Sequence, residues 1–118
     1  MAIKKTEYLK QVGGSLGGMR ESIISGDLAA PIAERFKAFS DPSRIKILIA
    51  LENGELCVNN ISGLVDLPQP TVSHHLKALR QLGIIRYRRS GRMTLYSIKD
   101  NRVLGLLAIA RDFARDNV

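Results

Sequence analysis

Two histidines, His74 and His75, stand side by side in the segment LPQPTVSHHLKALRQLG, and the 118-residue chain has no others. Such a pair offers three kinds of chemistry: metal ligation, proton transfer, or hydrogen bonding at a surface. Ligation from a single helix needs side chains three or four residues apart, because neighbours at i and i+1 diverge by about 100°. Proton transfer in a nucleophilic mechanism needs a nucleophile or carboxylate close by, yet no Asp or Glu occurs from Leu67 to Lys99. The same span carries seven basic residues, Lys77, Arg80, Arg86, Arg88, Arg89, Arg92 and Lys99, while the rest of the chain is balanced at 11 basic against 11 acidic. The whole net charge of +7 therefore sits in one stretch. A polyanionic partner explains such concentration better than solubility does. The plainer alternative is a solvated basic face with no partner.

Composition excludes several other functions. A single cysteine, Cys57, allows neither an internal disulfide nor a CxxC metal knuckle, which suits a reducing cytoplasm. The chain has no Trp and only 5% aromatic residues, which argues against a stacking platform for single strands. No apolar run approaches a membrane span, and the start MAIKKTEYLKQVGG lacks the apolar core of a secretory signal, so a cytoplasmic protein with no membrane partner is expected. The segment GGSLGG lacks the Lys-Ser/Thr ending of a phosphate loop. No cofactor and no catalytic residue are expected.

The elements that must position the basic stretch can be read from periodicity and punctuation. Residues 1–27 hold five of the ten glycines, which predicts an arm that is either a weak helix or mobile. Residues 28–118 form the domain proper. LAAPIAERFKAFS reads as a short helix with Ile32, Phe36 and Phe39 inward. SDPSRIKILIALENG follows, with Ser40 or Asp41 as N-cap, Pro42 near the first helical position and Gly54 as its end. Its expected core residues are Ile45, Leu48, Ile49 and Leu51. Next come an extended lead-in over Leu56–Val58 and a small helix carrying Ile61, Leu64 and Val65. A tight turn leads to a helix over Pro70–Leu82, stopped by Gly83. IIRYRRSGRMTLYSI then changes period and breaks at Ser90-Gly91, as a hairpin does. A last helix opens at Asp100.

The fold class expected is mainly α with a small β-hairpin, in the order α-α-α-α-β-β-α, a winged helix-turn-helix. On the Pro70–Leu82 helix, Val72, Leu76, Leu79 and Leu82 share one stripe with His75 at its edge, so His75 is a packing or backbone-bonding residue. His74 lies opposite, with Ser73, Lys77 and Gln81. Reading double-stranded DNA is the chemistry this face suits. Gln69, Thr71, Ser73 and His74 occupy the early turns that reach base edges, and Lys77 and Arg80 suit phosphates. Arg88, Arg89 and Arg92 flank the hairpin tip, within reach of backbone or minor groove.

The motifs ELCVNNISGLVDLPQPTVSHHLKALRQLGIIRYRRSGRMTLYSI and, upstream, FKAFSDPSRIKILIAL resemble the ArsR/SmtB family of repressors, over residues from about Ile32 to the C-terminus. The resemblance implies a homodimeric winged-helix repressor that leaves its operator on sensing an inducer. It also implies where metal would bind. Thiolate sensors of the family place a second cysteine two residues beyond the first, where this chain has Asn59, and one thiolate cannot build a soft-metal site. The other family site, on the last helix, aligns with Asp100, Arg102, Phe113 and Asp116. Arg and Phe stand where imidazoles would be, and oxygen ligands alone suit hard cations. Asp100 reads instead as an N-cap and Asp116 as a surface charge. Neither metal site is intact by this reading, and the effector is left unidentified. Cys57 is either a small buried residue or a redox sensor.

The last helix bears on self-association. Val103, Leu106, Leu107 and Ala110 follow one stripe, and Leu104, Ile109 and Phe113 spread apolar surface further round, more than one small domain covers. A homodimer on an inverted-repeat operator is the expectation. The rival is a winged-helix protein-interaction module without specific DNA binding.

Overall fold

A computed structural model describes residues 16–24 and 27–116. The chain divides into two compact units, one ending at Ala33 and the other running from Glu34 onward. In the first, α1 (Leu16–Ile24) is helical despite containing Gly17 and Gly18, and Leu16 and Ile23 are exposed. Gly13 and Gly14 lie outside the described residues. Helix α2 (Ala29–Phe36) runs across the division and leads into a single 3₁₀ turn, Lys37–Phe39.

The second unit holds α3 (Pro42–Ala50), α4 (Val58–Val65), α5 (Gln69–Gln81), β1 (Ile85–Ser90), β2 (Met93–Ile98) and α6 (Arg102–Asp116). This is the winged helix-turn-helix order, with the hairpin directly after α5. Helix α3 starts as its sequence dictates: the Asp41 carboxylate accepts from the Ser43 and Arg44 backbone N–H groups at 2.7 and 3.4 Å, with Pro42 in the first turn. Asp41, not Ser40, is the cap. Its carboxyl lies below the ordinary range, chiefly through the Ser43 hydrogen bond. A 3₁₀ turn over Leu51–Asn53 continues the segment to Gly54.

The helix-turn-helix corner is a single residue in the left-handed region. Asp66 (φ +56°) ends α4, and the Ser62 hydroxyl donates to the Leu67 carbonyl across the turn. An aspartate tolerates this conformation better than most residues. Pro68 then caps α5 and Pro70 sits within its first turn, where a missing N–H costs nothing. Gly83 (φ +76°) turns the chain out of α5 into the hairpin, and Gly91 (φ +59°) makes the tip.

The core is one cluster in which Ile47, Leu48, Ile61, Val72, Leu76, Leu79 and Ile85 are almost wholly buried. Each such side chain contributes roughly 1.5–3 kcal/mol by leaving water. Val72, Leu76 and Leu79 confirm the expected stripe of α5, with Leu82 partly buried beside them. Several inward assignments are corrected. Ile32 and Phe36 are about half exposed, and only Phe39 of that trio packs on the core. On α3, Ile47 takes the buried place expected for Ile49, which is 39% exposed. On α4, where the sequence assigns no side to Ile61, Leu64 and Val65, Leu64 points out while Ile61 and Val65 go in. In each case the segment offered more apolar residues than its neighbours could cover. The lead-in is shorter than expected: only Leu56 pairs, bridging Tyr96 of β2 through hydrogen bonds of 3.0 and 2.8 Å, and Val58 is already helical. Among the described residues no helix is long and apolar enough to cross a membrane.

Candidate nucleic-acid interface

Helix α5 has two unlike faces. While Val72, Leu76 and Leu79 are buried, Gln69, Thr71, Ser73, His74, Lys77, Arg80 and Gln81 are all exposed. The exposed side carries amide, hydroxyl and imidazole groups in its first turns and cations further along. That is the inventory that pairs with base edges and then phosphates.

The neighbouring histidines part as helix geometry requires. His74 is exposed, and His75 is half buried, accepting a hydrogen bond at its Nδ1 from the Arg44 Nε at 3.3 Å. Arg44 also donates to the Lys37 carbonyl at 3.1 Å. His75 therefore bonds to a side chain where a packing or backbone-bonding role was expected. This tie fixes the start of α3 against α5. Sequence gave no sign of it, because the partners are 31 residues apart.

A second tie joins the two helices of the motif. The Gln69 carboxamide Nε2 donates to Asn59 Oδ1 on α4 at 2.8 Å.

The hairpin pairs Ile85 with Ile98, Tyr87 with Tyr96 and Arg89 with Thr94, and strand alternation puts these six on one side. The Arg80 guanidinium lies over the Tyr87 ring, 4.9 Å from its centre, and Tyr87 tilts against Tyr96. This cation–π contact welds the end of α5 to the base of the hairpin. Sequence reasoning assigned Arg80 to phosphate alone and missed Tyr87. An aromatic in an otherwise basic strand was the available signal. Arg89 donates to Thr94 at 3.0 Å, near the tip.

Arg86 and Arg88 belong to the opposite side. Arg88 is held by Glu55 through two bonds, 2.6 and 2.9 Å, beside Arg86 and Ser97 in an open cleft of about 500 Å³. Glu55 is delivered there by the adjacent Leu56–Tyr96 bridge. The Arg88 hydrogen bond lowers the Glu55 carboxyl pKa and raises that of the guanidinium. The structure thus separates Arg88 from Arg89 and gives it a carboxylate partner. Arg92 is exposed at the tip.

The positions where metal would sit do not suit one. Cys57 is partly exposed and caps α4 without a side-chain cap bond. Its neighbours are Val58 and Asn59. At the last helix Asp100 is the cap, accepting from the Arg102 backbone N–H at 2.9 Å, and its carboxylate is also gripped by the Arg102 guanidinium at 2.6–3.1 Å. That grip holds the Asp100 pKa at about 2. A permanently cationic side chain on the carboxylate repels a metal ion. Phe113 and Asp116 are exposed on the same helix. Among the described residues no three His, Cys, Asp or Glu side chains group as a metal site.

Helix α6 buries Val103 and Leu107 but exposes Leu106, Ile109 and Phe113, at 43%, 69% and 71%. Arg111 pairs with Glu52 and anchors the helix to the 3₁₀ turn after α3.

Proteins similar to this chain in sequence and shape include several described as transcriptional regulators. The model of the bacterial regulatory protein arsR family matches residues 41–87. The transcriptional repressor SmtB homolog of Synechocystis is 35% identical over 99 residues, covering 84% of this chain and 75% of that protein. The HTH-type transcriptional regulator MJ1325 of Methanocaldococcus jannaschii is 46% identical over 78 residues, covering 65% of this chain and 88% of that one. Among solved structures, the homodimeric winged helix-turn-helix DNA-binding domain Mb0332 of Mycobacterium bovis superposes with a TM-score of 0.72 at 29% identity, covering 79% of this chain and 86% of that one.

Proposed function

The chain belongs to the ArsR/SmtB family of winged helix-turn-helix transcriptional regulators, and from that premise we propose that it is a homodimeric repressor that reads an inverted-repeat operator with α5. The observation that carries this reading is the exposed face of α5, polar first and cationic after, with the helix braced at its middle by Arg44–His75 and at its C-terminal end by Arg80–Tyr87. Gln69, Thr71, Ser73 and His74 contact base edges. Lys77, Arg89 and Arg92 contact phosphates, with Arg80 joining them while stacked on Tyr87. Arg88 reaches phosphate only by leaving Glu55, so its contribution to affinity is smaller than that of Arg89.

The exposed apolar strip of α6 supports the dimer. Leu106, Ile109 and Phe113 leave water when a second copy covers them, and the similar domain from M. bovis is described as homodimeric. Two α5 helices then address half-sites whose centres are about one helical turn, 34–36 Å, apart. The effector is not one of the family's thiolate-bound or imidazole-bound metals, given Asn59, Arg102 and Phe113 at the ligand positions. Cys57, the single thiol, is where an oxidant or electrophile would act.

Fluorescence anisotropy with duplex DNA from upstream of the protein's own gene and a scrambled control, across a salt series, tests the reading. Tight, selective binding with a steep salt slope is expected. Weak, salt-insensitive and equal binding to both duplexes, persisting across a randomised duplex pool, overturns it in favour of a protein-interaction module.

A further inference from the structure

We propose that Asn59, on the first turn of α4, is a specificity-determining residue that acts by holding the Gln69 carboxamide against α4; this rests on the DNA-reading role of α5 proposed above. Gln69 opens α5 and Asn59 lies ten residues earlier, yet the turn at Asp66 folds the two helices so that Gln69 Nε2 donates to Asn59 Oδ1 at 2.8 Å. Both side chains are exposed. Burial therefore does not position them, and the hydrogen bond is the restraint that does.

The consequence is chemical. A free glutamine amide swings, and it offers donor and acceptor in either order. With one N–H committed to Asn59, the donor end of Gln69 faces α4, leaving its Oε1 and the second N–H for a base. An acceptor and a donor side by side are the complement of adenine N6 and N7. Reversal of the Gln69 amide by itself would set its Oε1 against Asn59 Oδ1, two acceptors with no proton between them; a bond survives that reversal only if Asn59 turns as well and donates from its Nδ2. Pre-orientation also removes part of the rotamer entropy that a long side chain loses on binding.

Selection from a randomised duplex pool, with full-length wild type and three variants, tests this. Wild type is expected to enrich one A·T pair per half-site that Gln69→Ala no longer enriches, which locates the Gln69 contact. Asn59→Ala should lose preference at that same pair by about fivefold or more, the weak end of one bidentate contact, while other positions keep theirs. Asn59→Asp is the discriminating variant. Its carboxylate still accepts from Gln69, and acid in the first turn of a helix is favourable, so the preference at that pair survives even though nearby phosphates weaken overall affinity. Preference at the Gln69 pair that persists in Asn59→Ala, or that disappears equally in Asn59→Ala and Asn59→Asp, overturns the proposal. Asn59→Ala lowering all positions evenly overturns it too. A wild type that enriches no sequence removes the DNA-reading premise instead, and the proposal with it; selective wild-type binding with an indifferent Asn59→Ala removes the proposal alone.

Discussion

Helices α5 and α6 are built on the same plan and face different worlds. Each buries a stripe of branched aliphatic residues, Val72, Leu76 and Leu79 on α5, Val103 and Leu107 on α6. Away from that stripe α5 presents Ser73, His74 and Lys77, whereas α6 presents Leu106, Ile109 and Phe113. The inward stripe tells only that a helix packs. Its outward face tells what it suits: a hydrated, charged surface for α5 and, in the dimer proposed above, a second apolar protein surface for α6. Fold is thus written in one half of each helix and function in the other.

The sharpest way to break this contrast is to attack the half the helices share. Leu76→Ala, fully buried, is expected to cost about 2–5 kcal/mol in a urea melt, because a cavity remains where the side chain was. DNA binding should fall only as the folded fraction falls. Next comes the outward face of α6. Ile109→Glu should leave the far-UV circular dichroism of the fold intact but shift the protein to monomer by light scattering, with operator affinity reduced by about two orders of magnitude through loss of the second half-site. An unchanged dimer would remove α6 from the interface.

On α5 and the hairpin the effects are smaller and separable. His74→Ala should weaken binding to the preferred operator more than to random DNA, by about 1–3 kcal/mol of discrimination. Arg89→Ala should weaken both alike and reduce the salt slope by about one. Equal losses with His74→Ala would reassign that residue to phosphate. The smallest effect concerns the start of α6. Asp100→Ala should lower the melting temperature at neutral pH, and the gap to wild type should narrow in acid. The Asp100 carboxyl titrates at about 2 in the fold against 3.8 ordinarily, so its stabilisation is complete above 3.8 and is lost as the pH falls through about 2. A gap that stays constant to pH 2 would assign the loss to something other than the charged cap.

Punctuation was the most legible part of the chain. Asp41-Pro42, Pro68 and Pro70, Gly83 and Gly91 bound their elements where local backbone chemistry requires, since caps and left-handed residues depend on near neighbours alone. The candidate interface was legible as a face but not as a mechanism. Period placed His74 outward, and charge placed cations on the hairpin. That Gln69 leans on Asn59, that His75 receives Arg44, and that Arg88 is taken by Glu55 rest on pairs 10, 31 and 33 residues apart. No local pattern encodes those distances.

The surplus of apolar residues shows the same division. Helical period on α3 and α4 offers Ile47 and Ile49, or Leu64 and Val65, nearly equal claims to the core. Which one enters depends on what stands opposite, and the assembled fold buries Ile47 and Val65. By itself, then, the sequence determined the order of elements, the winged helix-turn-helix class and the location of the charge, because propensity, capping and net charge are local or additive. Only the tertiary structure decided which apolar residues stay outside and which polar side chains hold one another, because those outcomes depend on neighbours brought together by the fold.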